Sequence, residues 1–405
     1  MRHAGVALGV WMACAFGGLP AAAQISGGAV RIGVLTDMSG PYADIGGVGS
    51  VEAARLAART FGGRVAGVPV EVVAADHQLK ADIASTIVRE WFDTKGVDAV
   101  FDLIGSNVAL AVREITRQKK VDVSSGSGAI ALIDRSCSPT GMLWSWDTYS
   151  VPKANIIAAM DLGAKTWFLL SADYVFGHEV EAIAARTIEE RGGRIVGRMR
   201  HPLNATDFSA FLLQAAQSGA QAIAVGNVGQ DFINTQRQAV EFQLPQQGVR
   251  IVGVLANFND YQAIGLDLAQ GMTASESFYW DLDDNTRAFS RRFEARAGFK
   301  PSDIHAGVYS SVLHYLKAVE AARSDDGPTV AAKMRELPVE DETVAHGRIR
   351  EDGRLLRDMF FFRVKTPAES RGRSDVYALV GRAPADEVTR PMRAGGCVVS
   401  RLSGP

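Results

Sequence analysis

Strand-like and helical segments alternate along this chain, and this alternation constrains the fold more than any other feature of the sequence. Apolar runs of strand length recur between residues 30 and 255, and segments with apolar residues at helical spacing separate them. Strands separated by helices of about ten to fifteen residues indicate βαβ units that build a parallel sheet. The predicted strands are 30–36, 68–75, 99–103, 121–124, 166–171, 194–198, 222–226 and 251–255, and the predicted helices are 42–60, 83–92, 108–117, 179–191, 208–218 and 231–242.

The alternation occurs twice, and residues 137–153 interrupt it with an extended, Trp-rich stretch that contains Pro139 and Pro152. This pattern predicts two α/β lobes of about 120 residues each. The remaining chain holds two predicted helices and two predicted strands, too few for a third lobe of this kind. We therefore predict an α/β protein with two Rossmann-like lobes, three hinge crossovers and a ligand cleft between the lobes. The predicted N-terminal lobe is 24–146 plus 277–362, and the predicted C-terminal lobe is 147–276 plus 363–405; the late helices are 287–296 and 306–323, and the late strands are 359–365 and 376–380.

The first 23 residues have the organisation of a secretory signal peptide. A basic start at Met1-Arg2-His3 is followed by an apolar run over 4–19, a helix-breaking Pro20 and the small residues Ala21-Ala22-Ala23. We expect cleavage after Ala23 and export of the chain. A membrane anchor is the alternative, but the apolar run is shorter than the roughly 20 residues that span a bilayer.

The charge balance argues against nucleic acid as a partner. The chain of 405 residues carries 43 Lys plus Arg against 45 Asp plus Glu, a formal net charge of −2. Proteins that bind nucleic acid usually carry an excess of basic over acidic residues, and this chain carries no such excess.

Export bears on whether the cysteines form a disulfide. Removal of the signal peptide takes away Cys14 and leaves Cys137 and Cys397 in a compartment that permits disulfides. Two cysteines allow a single intramolecular pairing, which would stabilise the fold by about 4–5 kcal/mol in the chain-entropy estimate. Two unpaired buried thiols are the alternative.

Loops after the predicted strands provide the candidate binding site. In open α/β sheets, ligands bind beyond the carboxyl ends of the strands, where helix N-termini favour anions. The first loop ends in Tyr42, a later one contains Gly105-Ser106-Asn107 and opens a helix, and another contains Ser127-Gly128-Ala129. We expect Ser106, Ser127 and neighbouring amides to hold a carboxylate. The alternative is a helix cap at Ser106 and a flexible turn at 124–128.

The enzyme motifs that parts of the sequence resemble are incomplete. The residues around Ser127 lack the outer glycines of a nucleophile elbow, and no glycine loop ends in the Gly-Lys-Ser or Gly-Lys-Thr of a phosphate-binding loop. His178-Glu179 begins like a zinc-protease helix, but Ala182 stands where the second histidine belongs. We therefore expect no catalytic residue, no metal and no cofactor.

The opening segment VRIGVLTDMSGPYADIGG, the signal peptide and the double α/β pattern resemble the periplasmic substrate-binding proteins of ABC importers. The resemblance is to the branched-chain amino-acid binding-protein-like family, which has the type I periplasmic-binding fold, and it covers essentially the whole mature chain. Other segments that carry it are SGSGAIALIDRSCSPTGMLWSWDTYS, LLSADYVFGHEVE, SESFYWDLDDNTRAFSRRFEARAGFKPSDIHAGVYSSVLHYLKAV and GGCVVSRL. The first and last of these resemble a subgroup in which the two cysteines form a disulfide.

The resemblance implies a non-enzymatic periplasmic protein whose lobes close on a small ligand and whose partner is a membrane permease; we expect a monomer. It places hinge strands near 144–149, 274–278 and 361–365. It implies that the loops with Ser106-Asn107 and Ser127-Gly128-Ala129 grip the ligand carboxylate, and that Tyr42 packs against it. The positions that it assigns to the other end of the ligand are Tyr174, Phe176, Asn227 and Asp260. Tyr174 and Phe176 are alternatively core aromatics, and Asp260 is alternatively a helix cap.

Two departures from the amino-acid binders bear on the ligand. In that family an acidic residue of the second lobe meets the ligand ammonium, whereas LANFNDYQAIG offers Asp260 in place of a clear glutamate. A carboxylate-binding threonine is also absent near Gly128-Ala129-Ile130. These departures weaken leucine, isoleucine or valine as the ligand, and the cysteine-bearing subgroup suggests small organic acids, including aromatic ones.

Two other functions remain open at this point. The first is a periplasmic sensor that reports ligand occupancy to a separate membrane receptor. The second, less favoured, is an exported α/β hydrolase, which would require a histidine beside Ser106 or Ser127.

Overall fold

The computed structural model describes residue 1, residues 24–392 and residues 396–397. The predicted signal peptide beyond Met1, with its cleavage site at Ala23, lies outside the described residues. Among the residues that are described, no helix is both long enough and apolar enough to cross a membrane.

Six strands form the first sheet: β1 (Val30–Thr36), β2 (Arg64–Val65), β3 (Val68–Asp76), β4 (Ala99–Asp102), β5 (Val121–Ser124) and β6 (Gly141–Leu143). Their order is β2–β3–β1–β4–β5–β6, and every pair except β2–β3 is parallel. Both β4 and β5 are buried along their whole length. Helices cover both faces of such a sheet, so its central strands appear in the sequence as short apolar runs.

Four parallel strands form the second sheet: β7 (Thr166–Ala172), β8 (Arg194–His201), β9 (Ala222–Gly226) and β10 (Arg250–Gly253). Their order is β10–β9–β7–β8. Along β7, Phe168 and Leu170 enter one hydrophobic cluster while Trp167 and Leu169 enter the cluster on the opposite face. The predicted two α/β lobes are thereby confirmed, since each sheet has its own core.

The α-helices of the described chain are α1 (Gly47–Thr60), α2 (Ala81–Asp93), α3 (Ser106–Thr116), α4 (Ser150–Asp161), α5 (Val175–Glu190), α6 (Ser209–Gln217), α7 (Gln230–Glu241), α8 (Phe258–Ile264), α9 (Leu266–Ala269), α10 (Asp284–Ala297), α11 (Asp303–Ala322), α12 (Gly327–Glu336) and α13 (Ala385–Val388). The prediction of an extended stretch through residue 153 is wrong at its end, because α4 begins at Ser150. Pro152 lies in the first turn of α4, where a missing N–H costs no intrahelical hydrogen bond.

The chain returns to the first lobe after the second sheet. Phe289 and Phe293 of α10 share a hydrophobic cluster with Val51 of α1 and with Tyr309 of α11. The rings of Phe289 and Tyr309 lie 4.6 Å apart between centroids. These two helices therefore complete the core that the first sheet begins.

A third, antiparallel sheet lies where the chain passes between lobes. It contains β11 (Thr273–Glu276), β14 (Met359–Val364) and β15 (Tyr377–Ala383), in the order β11–β14–β15. Two of the predicted hinge strands, 274–278 and 361–365, overlap β11 and β14, and Ala274 pairs with Phe362. The predicted boundary between residues 362 and 363 falls inside β14, and the lobe boundaries stay a prediction.

A short hairpin precedes β14 in the first lobe. It consists of β12 (Arg348–Ile349) and β13 (Leu355–Leu356), which are antiparallel. Its turn reaches the end of β6, where the amide of Leu143 donates to the carbonyl oxygen of Gly353 at 2.9 Å.

The end of the chain is attached to the first lobe. The predicted pairing of Cys137 with Cys397 is confirmed, and the bond closes a sequence separation of 260 residues. Arg390 also forms an ion pair with Asp134 at 3.1 Å. Thus the last part of 363–405, which was predicted to belong to the C-terminal lobe, is bonded to the N-terminal lobe.

Candidate functional site

Loops from both sheets enclose a small cavity between the lobes. Its volume is about 40 Å³. The first lobe contributes the turn after β1, the loop after β6 and the start of α11, and the second lobe contributes the loops after β9 and β10, with β11 between them. The lining residues are Ile45, Trp146, Val151, Val228, Leu255, Ala256, Asn257, Ser275, Glu276, Asp303 and Ile304. This position, beyond the carboxyl ends of parallel strands, is where open α/β sheets bind ligands.

The turn after β1 brings Tyr42 into the contact between lobes. The Asp37 carboxylate accepts hydrogen bonds from the amides of Gly40 and Tyr42, at 2.9 and 3.1 Å. Burial raises the pKa of Asp37, and these two amides oppose the rise. The Tyr42 hydroxyl forms a short hydrogen bond with the hydroxyl of Tyr174. Tyr42 therefore contacts the second lobe, as expected of a residue at the cleft.

A buried histidine supports the same turn from behind. The amide of Ser302 donates to Nδ1 of His305 at 3.0 Å, and Nε2 of His305 lies 2.9 Å from the carbonyl oxygen of Gly46. Nε2 must therefore carry the proton, and the imidazole is neutral. Burial lowers the pKa of His305 to about 4, which preserves this arrangement at neutral pH. The N-terminus of α11 is in this way fixed beside the cavity.

The first predicted carboxylate loop lies at the start of α3. Ser106 is its first residue and is buried, after Gly105, whose φ of 93° favours glycine. Asn107 donates from Nδ2 to the carbonyl oxygen of Leu79 at 3.0 Å, while its Oδ1 is buried without a hydrogen-bond partner. Neither Ser106 nor Asn107 lines the 40 Å³ cavity.

Trp146 covers the second predicted carboxylate loop. A Cβ on Gly128 would lie 2.3 Å from the Trp146 ring, and the amide of Thr148 donates to the Gly128 carbonyl oxygen at 2.9 Å. The Ser127 hydroxyl accepts from the Ala129 amide at 3.4 Å. Ser127, Gly128 and Ala129 are buried and do not line the cavity. Trp146 covers them and lines the cavity itself.

The aromatic residues predicted in the second lobe lie against Trp146. The Trp146 and Phe176 rings pack edge to face with centroids 6.3 Å apart, and Tyr174 and Phe176 lie 5.7 Å apart. Phe176 is buried in the core of the second lobe, which agrees with the alternative for that residue. Tyr174 packs against the cluster that contains Tyr42, so it bridges the lobes.

The two polar residues predicted in the second lobe form local hydrogen bonds, although Asn227 Oδ1 is buried without a partner. Asn227 Nδ2 lies 2.9 Å from Nε2 of His201 and 3.3 Å from the Thr235 hydroxyl. Asn257 is the N-cap of α8, and Asp260 completes its capping box by accepting from the Asn257 amide at 3.0 Å. The Asp260 carboxylate also accepts from the Gly229 amide at 2.8 Å. Burial raises the pKa of Asp260 to about 7. The helix-cap alternative for Asp260 is therefore what the structure contains.

Three further contacts join the lobes. Asn259 Nδ2 donates to the carbonyl oxygen of Asp44 at 2.9 Å. The Glu179 carboxylate of α5 accepts from the Ile130 amide at 3.2 Å and from the Thr148 hydroxyl at 2.7 Å. The backbone of Gly229 lies so close to Pro41 that an added Cβ would be 2.9 Å from the Pro41 carbonyl oxygen. Together with the Tyr42–Tyr174 hydrogen bond, these contacts hold the lobes closed.

Two buried acids of the cavity wall escaped the sequence reasoning. Glu276 belongs to β11, and Asp303 is the first residue of α11. Burial, with the nearby Asp303 charge, raises the pKa of Glu276 well above its ordinary value. Burial raises the pKa of Asp303 to about 6, against the opposing charge of Arg357. An acid inside the predicted hinge strand 274–278 was the signal that could have pointed to Glu276.

The lining of the cavity is mostly apolar. In the described chain, no group of three or more His, Cys, Asp and Glu side chains is arranged to hold a metal ion. The cavity combines apolar walls with a few polar groups, which is the usual composition of a small-molecule site.

A family model described as "Periplasmic binding protein" matches residues 29–372. The solved structure of a periplasmic binding protein from Burkholderia mallei is 39% identical, with a TM-score of 0.89 over 92% of this chain and 99% of that one. A branched chain amino acid ABC transporter periplasmic ligand-binding protein from Burkholderia xenovorans is 40% identical, with a TM-score of 0.82 over 91% and 99% of the two chains. The Leu/Ile/Val-binding protein homolog 6 of Brucella melitensis is 25% identical over 303 residues, which are 72% of this chain and 76% of that protein.

These similarities confirm the predicted family and two-lobe fold. Members of the family are binding components of transport and not enzymes, so the expectation of a non-enzymatic role is confirmed by the family. Their setting is the periplasm, where they deliver small molecules to permease components. With its two α/β sheets, its interlobe cavity and a family match over residues 29–372, this chain belongs to the periplasmic binding protein family, the solute-binding components of ABC transporters.

Proposed function

We propose that this protein captures a small carboxylate-bearing ligand, either amino-acid-like or an aromatic or other organic acid, and presents the closed form to a permease. The observation that carries the proposal is the interlobe cavity, whose wall takes residues from both lobes. A ligand bound there contacts both lobes only when they are closed. It therefore shifts the population toward the closed form by its differential affinity for that form. We further propose that the working protein is a monomer that begins at Gln24.

The carboxylate end of the ligand is proposed to lie toward Ser106, Ser127 and the N-terminus of α3. Helix N-termini favour anions because their first amides have no partner inside the helix. The loop that contains Ser127 lies under Trp146, which is a residue of the cavity wall. Because Trp146 covers Gly128, a ligand reaches this loop only if the Trp146 side chain moves.

The size of the cavity supports such a movement. An engineered apolar cavity that binds benzene measures about 150 Å³, whereas this cavity measures about 40 Å³. An aromatic or branched ligand therefore requires a wider separation of the lobes or another rotamer of Trp146. We propose that the ligand-loaded closed form differs from this one at Trp146 and at the Tyr42–Tyr174 contact.

Thermal unfolding with a ligand panel tests the proposed function. The panel contains amino acids, aromatic acids, dicarboxylates, amides and sugars. A carboxylate at 100 times its dissociation constant is expected to stabilise the fold by about 2.7 kcal/mol, enough to raise the unfolding midpoint measurably. Stabilisation by sugars or amides alone, or by no member of the panel, would contradict the proposal.

A substitution at Gly229 tests the closure contact. A leucine there would bring its Cβ to 2.9 Å from the Pro41 carbonyl oxygen and 3.6 Å from the Tyr42 ring, which would hold the lobes apart. We expect Gly229→Leu to lower the affinity for the tightest-binding ligand of the panel by roughly tenfold or more, and tenfold equals about 1.4 kcal/mol. Isothermal titration calorimetry measures the change.

Gly219→Leu is the matched control, because Gly219 has a φ of 73° against 63° at Gly229 but no atom within 4 Å of its added Cβ. Both variants carry the backbone cost of a non-glycine residue at positive φ. Equal affinities in the two variants would show that the Gly229 contact plays no part in binding.

A further inference from the structure

The second sheet ends in a strand with a free edge. Strand β10 comes first in the order β10–β9–β7–β8, so in the described chain one of its sides has no neighbouring strand. The amides of Arg250 and Val254 donate toward β9, to the carbonyl oxygens of Gln221 at 2.9 Å and Val225 at 3.1 Å. Because hydrogen-bonding groups alternate in direction along a strand, every second residue of β10 turns its amide and carbonyl oxygen away from β9.

Ile251 and Gly253 are the residues whose backbone groups face away from β9. Within the described chain, their amides have no backbone hydrogen-bond partner. Both residues are buried, so this edge lies inside the folded protein and not on an open surface. Unpaired edge groups of this kind are a template on which another chain can add as a strand.

A cavity of about 420 Å³ lies along the free edge. All four residues of β10 line it, together with the C-terminal end of α4 and the segment 268–273 that leads into β11. Ile251 and Val252 both line it although they belong to clusters on opposite faces of the sheet, so the cavity follows the edge of the sheet. It shares no lining residue with the interlobe cavity, and it is therefore a separate site.

The charge of this cavity is positive. Of the described residues that line it, Arg250 is the only charged one. Its guanidinium donates to the carbonyl oxygens of Ala159 and Leu162, at 3.2 and 3.4 Å, and it forms no ion pair with a carboxylate of the described chain. An acidic occupant would complement this charge.

A buried glutamine of the cavity wall has an unused acceptor. Gln236 is 3% exposed, and its Nε2 donates to the carbonyl oxygen of Leu268 at 3.1 Å. This bond fixes the orientation of the side-chain amide, and the buried Oε1 is left without a partner. Buried polar atoms without a partner are uncommon, and a donor on an occupant of the cavity would satisfy this one.

We propose that the free edge of β10 binds a short acidic segment of another protein, which adds to the second sheet as an extended strand. The backbone of this peptide pairs with the amides and carbonyl oxygens of Ile251 and Gly253. A peptide carboxylate binds Arg250, and a peptide donor satisfies Gln236 Oε1. Main-chain pairing supplies the affinity, and the two side chains select the peptide. The site goes beyond the proposed capture of a small ligand, because it lies outside the cleft and takes a different class of partner.

A set of tetrapeptides tests the site on the purified protein. The peptides are N-acetylated amides with Val, Ile, Thr or Tyr at the first three positions, residue types that favour extended backbone, and Asp at the last. We expect at least one to bind in calorimetric titration. Its affinity should fall tenfold or more when Asn replaces Asp, and likewise when all its amides are N-methylated. Binding of no member of the set, or an affinity that either change leaves unaltered, would overturn the site.

Ile251→Pro tests the backbone pairing, because it removes an amide that faces away from β9. Proline is tolerated at such positions of edge strands. Ile251→Ala is the matched control, since it also loses the packing of the isoleucine side chain in the core but keeps the amide. We expect the peptide to bind tenfold or more weakly to Ile251→Pro than to Ile251→Ala. Equal affinities in the two variants would overturn the pairing.

Arg250→Gln tests the charge and leaves the backbone of β10 unchanged. We expect the preference for the Asp peptide over its Asn counterpart to fall tenfold or more in this variant. A preference of unchanged size would show that another cation meets the peptide carboxylate, and would overturn the assignment to Arg250.

Two further measurements identify where the peptide binds and what occupies the edge. Gly229→Leu, which holds the lobes apart, is expected to leave the peptide affinity unchanged. Loss of peptide binding in that variant would place the peptide in the cleft and overturn the edge site. Sedimentation of the protein without peptide is expected to show no association through this edge. A dimer that Ile251→Pro dissociates and Ile251→Ala does not would make a second copy of this chain the occupant, and would overturn the peptide proposal.

Discussion

Replacing Arg354 by methionine is expected to lower the free energy of unfolding by about 3–5 kcal/mol, because it leaves a buried carboxylate without its cation. Arg354 Nε lies 3.0 Å from Asp147 Oδ2, and both side chains are almost fully buried. Arg354 also donates to the carbonyl oxygens of Leu143 and Trp144, at 3.3 and 2.8 Å. This arginine therefore ties the β12–β13 turn to the segment that leaves the first lobe, one of the predicted hinges.

Urea denaturation measures this loss of stability. Two further variants show whether it comes from the unpaired buried charge. Arg348→Met removes an exposed ion pair with Asp386, which is expected to matter far less. In Arg354→Met combined with Asp147→Asn, neither charge of this buried pair remains, so part of the lost stability should return. The Asp147 carboxylate also accepts from the amides of Tyr149 and Ser150, and an asparagine oxygen can keep these bonds. A double variant less stable than Arg354→Met alone would contradict this account.

Loss of the disulfide is the second large effect that we expect. Cys137→Ser combined with Cys397→Ser should lower the free energy of unfolding by roughly 2–5 kcal/mol, as removal of a native disulfide usually does. The bond closes a loop with a sequence separation of 260 residues, and long loops lose much conformational entropy in the unfolded state. Residual structure in the unfolded chain reduces the contribution of the crosslink below the chain-entropy value.

Denaturant titration with and without a reducing agent measures the contribution of the disulfide. Wild type under reducing conditions should match the double-serine variant, and the variant itself should not respond to the reductant. Unchanged stability in the variant would show that the crosslink constrains the tail without stabilising the rest of the fold. Neither cysteine lines the interlobe cavity, so we expect the double-serine variant to bind ligand with the affinity of the wild type.

Most of the secondary structure was predictable, because it depends on local periodicity. The predicted strand at residues 30–36 matches β1, and those at 121–124 and 222–226 match β5 and β9. Alternating burial across a sheet and the apolar stripe of a helix both repeat within a few residues, so they are visible in the sequence. α4 was missed because Pro152 was taken to break the helix and in fact lies in its first turn.

The candidate site was predictable only in part. Tyr42 and Tyr174, which the resemblance assigned to opposite ends of a ligand, form a hydrogen bond with each other across the lobes, and their role toward a ligand stays a prediction. Ser127 and Gly128 lie beneath Trp146, and Asp260 is a helix cap. Which loop residues face a cleft depends on side chains that arrive from other segments of the chain, and periodicity within one segment carries no such information.

The sequence by itself determined the alternating α/β architecture and the family, and it predicted the pairing of Cys137 with Cys397, which the structure contains. Hydrophobic periodicity sets the sheets, and the predicted removal of Cys14 with the signal peptide would leave two cysteines and a single intramolecular pairing. The tertiary structure alone decided that Trp146, Glu276 and Asp303 line the cavity. These three residues come from the exit of β6, the hinge strand β11 and the start of α11, which are far apart in the chain. They share one wall because the chain crosses between the lobes and returns, so their chemistry arises from long-range packing and not from any local pattern.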